Sequence, residues 1–140
     1  PSHESGALTT MAQVSTHIMF QGQAAQALAL YAAVFPGFET LSREDYGTGD
    51  MAPAGTVKLA TIAFNGSVLQ VIDSPIPHAF DFTPSMSLFV DCTSEEELTD
   101  AFAALSEGGE VMMPLDNYGF SRRFGWCRDR FGLSWQLNLP

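Results

Sequence analysis

The pattern of residue types in this chain runs through the same course twice. From Val14 to Phe20 a short, β-branched stretch reads as a strand, and apolar residues then fall at Ala24, Ala27, Leu28, Tyr31, Val34 and Phe35, the spacing of a helix with one buried face. Pro36-Gly37 stops that helix. Phe38 to Glu44 reads as a second strand, and Asp45 to Gly55 as a loop. Val57 to Phe64 and Ser67 to Ile72 read as two strands joined by Asn65-Gly66, a dipeptide favoured in tight type I′ hairpins. Asp73 to Pro84 carries three prolines and no helical pattern, and the course then begins again. Met86 to Val90 is strand-like, and Ser94 with Glu97 forms a capping box ahead of an apolar stripe at Leu98, Ala101, Phe102 and Leu105. After Gly108-Gly109, Glu110 to Met113, Arg123 to Arg128 and Leu133 to Leu139 supply three more strands. Each half is therefore βαβββ. Phe20 matches Val90, Leu28 matches Leu98 and Phe35 matches Leu105 at an offset of 70, while Gly66 matches Gly132 and Gln70 matches Gln136 at 66. The expected architecture is a duplicated α+β domain, module 1 about 14–73 and module 2 about 85–140.

Composition bounds the partners. With 140 residues, 46% of them hydrophobic, the chain can fill one core. A formal charge of −10 repels phosphate backbones and anionic lipid, so neither nucleic acid nor membrane is an expected partner. No apolar run approaches the roughly 20 residues of a membrane span. Residues 1–13, rich in Ser, Thr, Gly and Ala, read as a mobile tail without a signal pattern, and residues 14–140 as a single domain. A cytoplasmic location is expected, with Cys92 and Cys127 as reduced, largely buried thiols. The chain has no Gly-rich phosphate loop, no Gly-x-Ser-x-Gly elbow and no Cys-x-x-Cys pair, which leaves nucleotide hydrolysis, serine hydrolysis and zinc-ribbon roles without support.

The element order, together with Pro84-Ser85-Met86-Ser87-Leu88-Phe89-Val90, Pro114 to Ser121, Phe124-Gly125-Trp126 and the ending Asp129 to Leu137, resembles the PhnB-like proteins of the vicinal oxygen chelate superfamily, which includes glyoxalases, bleomycin-resistance proteins and extradiol dioxygenases. The resemblance implies tandem βαβββ modules forming a curved mixed sheet around a cup, commonly completed in a homodimer. It also implies that function resides in the cup, where metal-dependent members place ligands on the first and last strand of each module. Some relatives carry a 3-demethylubiquinone methyltransferase name. This chain lacks both the Gly-rich strand-to-helix turn and the doubly wound βα order that the usual S-adenosylmethionine methyltransferase needs.

Strand alternation assigns Ser15, His17 and Met19, Val68, Gln70 and Ile72, Ser85, Ser87 and Phe89, and Ser134, Gln136 and Asn138 to the cup face. The four family metal positions then map to Ser15, Gln70, Ser85 and Gln136. None is a carboxylate or imidazole, and neutral hydroxyls and amides bind catalytic zinc, nickel or iron weakly. No cofactor is expected.

The ligand-binding candidates are His17, Gln70, Phe89, Tyr118, Gln136 and Asn138. His17 could bind a ligand, act as a general base or serve structure alone. The two glutamines could contact a ligand or bond each other. The resemblance suggests a rim for the loop carrying Tyr118 and Phe120; Trp126, on a strand, could line an apolar pocket but is read as core. Arg122, Arg123, Arg128 and Arg130 are read as partners of surface carboxylates such as Asp129 or as dimer contacts, with an anionic substrate as the alternative. Glu95, Glu96 and Glu97 meet the dipole of the second helix, and His78 is read as exposed loop. The leading expectation is a protein that binds a small, mostly apolar organic molecule. The alternatives are a metal-dependent isomerase, lyase or dioxygenase of the superfamily type, with His17, Gln70 and Gln136 as partial ligands, and an interaction module whose cup is filled by its own side chains.

Overall fold

The computed structural model describes residues 11–140, so residues 1–10 of the expected tail lie outside the described residues. In chain order the elements are β1 (Thr16–Phe20), α1 (Ala24–Val34), β2 (Phe38–Asp45), β3 (Val57–Phe64), β4 (Ser67–Asp73), β5 (Ser87–Asp91), α2 (Glu95–Ser106), β6 (Glu110–Asp116), β7 (Arg123–Arg128) and β8 (Ser134–Leu139). They form two four-stranded sheets with the same topology, β1-β4-β3-β2 and β5-β8-β7-β6. In each sheet the first strand lies parallel to the last, and the other pairings are antiparallel. The duplicated βαβββ order is therefore present at the level of hydrogen bonding.

The chain divides into two compact units. One holds β1 and residues 37–75; the other holds residues 25–36 and 76–140. In the first, Ile18, Phe20, Ile62, Phe64, Leu69 and Val71 are buried on one sheet face. Asn65 and Gly66 both have positive φ, 46° and 94°, as a type I′ turn requires. Asp73, only 1% exposed, accepts from the amides of Gly22 and Ala24 through Oδ1 (2.8 and 2.9 Å) and from Val57 through Oδ2 (2.8 Å). It thereby satisfies orphan donors at the start of α1, a helix with no acidic residue in its own first turn.

In the second unit Leu98, Ala101, Phe102 and Leu105 of α2 are buried, and the capping box is present. The Glu97 amide donates to Ser94 Oγ (3.1 Å), and the Thr93 amide donates to the Glu97 carboxylate (2.8 Å). Although α1 follows β1 in sequence, it belongs to this unit. Tyr31 meets Trp135 of β8 edge-on at 5.0 Å between ring centroids, and Phe35 stacks on it at 5.5 Å. Asp129, expected at the surface as an arginine partner, is instead 2% exposed. Its carboxylate accepts from Tyr31 OH (2.5 Å), Trp135 Nε1 (2.9 Å) and the amides of Phe131 and Leu133 (2.9 and 3.1 Å). A carboxylate with four donors can be buried where an unpaired one could not. Burial, and then the Asp129 charge and hydrogen bond, push the Tyr31 phenol far above its ordinary range. Cys92 and Cys127 are free and buried, and burial raises their thiols to about 11 and about 12.

The end of β6 and the alignment of the first strands depart from the sequence reading. β6 continues through Pro114 to Asp116, with register shifts against β7 on either side of Met113. A proline is compatible with that position because β6 is the outer strand of its sheet, where one row of amides needs no ladder partner. The first strands also align differently from the offset of 70. Ile18 pairs with Val71 and Val90 with Leu137, so Ile18 is equivalent to Val90 at an offset of 72, and His17 occupies the position of Phe89.

Candidate functional site

Alternation along β5, β7 and β8 brings Ser87, Phe89, Asp91, Phe124, Trp126, Ser134, Gln136 and Asn138 to one face of the second sheet. The register pairs Phe89 with Gln136 with Trp126, and Asp91 with Asn138 with Phe124. A polar strip crosses this face. The Ser87 and Ser134 hydroxyls are hydrogen-bonded at 2.6 Å, Trp126 Nε1 donates to Ser134 Oγ (2.8 Å), and Gln136 Nε2 donates to Ser87 Oγ (3.2 Å). Two hydroxyls bring two protons, and their mutual bond uses one, so the strip retains one proton to donate elsewhere. Trp126, expected in the core, is half-buried on this face because β7 alternates in phase with Gln136.

Beside the strip lies an aromatic cluster centred on Phe124. Its ring centroid is 5.1 Å from Phe120, 6.2 Å from Tyr118 and 6.3 Å from Phe89. Phe124 is buried, whereas Phe89 is 55%, Tyr118 40% and Phe120 65% exposed. Tyr118 OH donates to the Pro114 carbonyl (2.5 Å), and the Gly119 amide donates to Asn117 Oδ1 (2.8 Å), which shapes the loop carrying the two outer rings. Four of the six expected ligand-binding residues, Phe89, Tyr118, Gln136 and Asn138, thus share one surface. Phe124 and Trp126 were the residues the sequence reading missed there. The signal was present, since both alternate with buried Cys127 along β7.

His17 and Gln70 stand on the first sheet. His17 pairs with Gln70, and Gln70 pairs with Thr61, whose hydroxyl donates to Gln70 Oε1 (3.0 Å). His17 is exposed and Gln70 half-buried. Each glutamine amide therefore finds a partner within its own sheet, Gln70 in Thr61 and Gln136 in Ser87.

The expected metal positions fit a cation poorly. Ser15 and Ser85 lie outside β1 and β5 and are exposed, and the Ser85 hydroxyl is bonded to that of Thr83 at 2.6 Å. Among the described residues no three His, Cys, Asp or Glu side chains group closely enough to hold a metal ion. Arg122 and Arg130 are exposed, Arg123 and Arg128 are half-buried, and Arg128, paired with Ser134, alternates in phase with Phe124 and Trp126. Arg123 meets Glu95 at 3.1 Å, Arg128 reaches Glu110 at 4.0 Å, and Arg122 Nε donates to the Pro140 carbonyl (2.7 Å). His78, expected as exposed loop, is half-buried and stacks on Phe80 at 4.6 Å.

A family model described as 3-demethylubiquinone-9 3-methyltransferase matches residues 12–138. The chain belongs to that family. Within it, the PhnB protein of Bacillus cereus, which bears the same methyltransferase name, is 41% identical over 92% of this chain and 100% of its own, with a TM-score of 0.88. Protein PA1353 of Pseudomonas aeruginosa is 26% identical over 92% of this chain and 98% of its own, with a TM-score of 0.79. A glyoxylase/bleomycin resistance protein/dioxygenase domain from Frankia is 16% identical, covers 92% of each chain and has a TM-score of 0.63, a likeness of fold alone. No curated protein matches the chain. The chain is thereby PhnB-like, and its two four-stranded sheets share the fold of the glyoxylase/bleomycin resistance protein/dioxygenase domain.

Proposed function

We propose that this PhnB-like chain binds a small, largely apolar organic molecule on the open face of its second sheet, without a metal. The observation that carries this reading is the union, on one face, of a hydrogen-bonded strip with a proton to spare and four clustered rings, three of them exposed. Apolar area joined to a few fixed polar groups is the composition of small-molecule sites. His17, Gln70 and Thr61 form a smaller polar patch on the first sheet, at the positions equivalent to Phe89, Gln136 and Trp126. Methyl transfer of the usual S-adenosylmethionine type finds no support in two sheets whose strand pairings are mostly antiparallel.

The rival reading is a metal-assisted enzyme acting on vicinal oxygens, for which the one favourable observation is the exposed imidazole of His17 beside Gln70. Elemental analysis of tag-free protein, before and after dialysis against EDTA and reloading with zinc, nickel, manganese or iron(II), separates the two. We expect no tightly held metal. About one metal per chain, lost in His17→Ala, would replace the proposal with the enzyme reading. A thermal-shift screen of small organic molecules then tests ligand binding directly.

The proposal includes a cytoplasmic homodimer. Free, buried thiols favour a reducing compartment, and exposed Leu41, Leu59 and Val68 leave apolar area on the first sheet for a second copy to cover. Light scattering at the mass of two chains is the expected result.

A further inference from the structure

We propose that the second-sheet site takes a neutral, planar, ring-bearing molecule with a hydrogen-bond donor on or beside the ring, such as a phenol or an indole, and that the donor is received by Asn138 Oδ1. The inference rests on the ligand-binding reading above and narrows it to a chemical class. Asn138 is 9% exposed on β8, and its Nδ2 donates to Asp91 Oδ1 at 2.9 Å. An ionised carboxylate only accepts, so this contact fixes the amide: the flipped orientation would set oxygen against oxygen. Nδ2 is then committed, and among the described residues Oδ1 is the one buried side-chain polar atom without a hydrogen-bond partner. Folded proteins rarely leave such an acceptor empty, and one that persists calls for a cause.

The surroundings indicate what supplies the missing donor. Phe124 pairs with Asn138 across the β7–β8 ladder, and Phe120, Tyr118 and Phe89 gather around Phe124. Oδ1 has almost no contact with solvent, so a ligand reaches it by displacing a neighbour. Tyr118 and Phe120 stand in the loop between β6 and β7, off the hydrogen-bonded ladder that holds Phe89 and Phe124, and Phe120 is the most exposed of the four rings. A planar ring entering there exchanges one ring contact for another, edge-on or offset, and brings its N–H or O–H within reach of the amide. An anion is disfavoured: Asp91 flanks the acceptor, the chain carries −10, and a deprotonated group has no proton to give.

The test uses matched probes that differ in one proton: indole against 1-methylindole, and phenol against anisole. Calorimetric titration and 1H–15N spectra of the full chain are recorded with each. We expect indole and phenol to bind about tenfold more tightly than their methylated counterparts and to move the Asn138 side-chain amide signal. In Asn138→Leu, with its fold checked by the same spectra, each pair should converge. Phe89→Leu should weaken both members of a pair alike. Equal affinity within both pairs for the wild-type chain would overturn the donor assignment while leaving the ligand-binding reading intact. Binding by none of the four would overturn the ring-bearing class, and the proposed function would fall with it only if the wider small-molecule screen were also blank.

Discussion

Tyr31, Trp135 and two backbone amides converge on the carboxylate of Asp129, and at the scale of single residues the removal of one atom tests that convergence. Tyr31→Phe removes a charge-assisted donor but keeps the ring that packs against Trp135, so the loss isolates the hydrogen bond. The expected cost is about 1.5–3 kcal/mol, read as a lower urea midpoint with an unchanged slope. Asn138 should behave in the opposite way. Asn138→Leu discards an unsatisfied buried acceptor, and the partner it abandons, Asp91, is exposed and can be rehydrated. The ligand-free variant should therefore gain about 1 kcal/mol, and a loss of stability would show that Oδ1 is satisfied in solution. A stability gain together with lost ligand discrimination would mark Asn138 as a residue kept for binding.

At the scale of elements, local chemistry accounts for most starts and stops. Ser94 caps α2, and Ser94→Ala should cost about 1 kcal/mol in thermal or urea unfolding. Close packing of α2 on its sheet has a sharper signature at Gly125 of β7, where an added Cβ would stand 2.6 Å from Phe102 Cε1 and 2.7 Å from Leu115 Cδ2. Gly125→Ala should destabilise by about 1–3 kcal/mol, since both side chains must shift in an already filled layer; a neutral result would mean that they move freely. The spans of β3 and β7, the Asn65-Gly66 turn and the α2 cap were all legible from the chain, because each is decided by neighbours a few residues away. The first-strand offset was not. Apolar alternation has a period of two, so offsets of 70 and 72 place the same faces inward, and only the hydrogen bonds of β1 to β4 and β5 to β8 tell them apart.

At the scale of the whole molecule, three acidic groups with raised values set a common pH dependence. Tyr31, Cys92 and Cys127 are each held in the neutral, protonated form by burial. Unfolding lets them ionise near their ordinary values, so their contribution is intact below about pH 8.5 and is lost as pH rises beyond it toward the folded-state values. The urea midpoint should be flat from about pH 7 to 8.5 and fall steadily above about pH 9. A midpoint that held through about pH 10.5 would show that these groups are no better protected folded than unfolded. Element order, the duplicated βαβββ plan, most core positions and the family resemblance follow from the sequence by itself, because periodicity and turn chemistry are local. The burial of Asp129 and Asp73, the docking of α1 against Trp135, the place of Trp126 beside Gln136, and the empty acceptor on Asn138 were decided by tertiary structure alone. Each depends on donors, rings or strands that arrive from far along the chain, and a charged or polar side chain read by itself carries no sign of whether they will come.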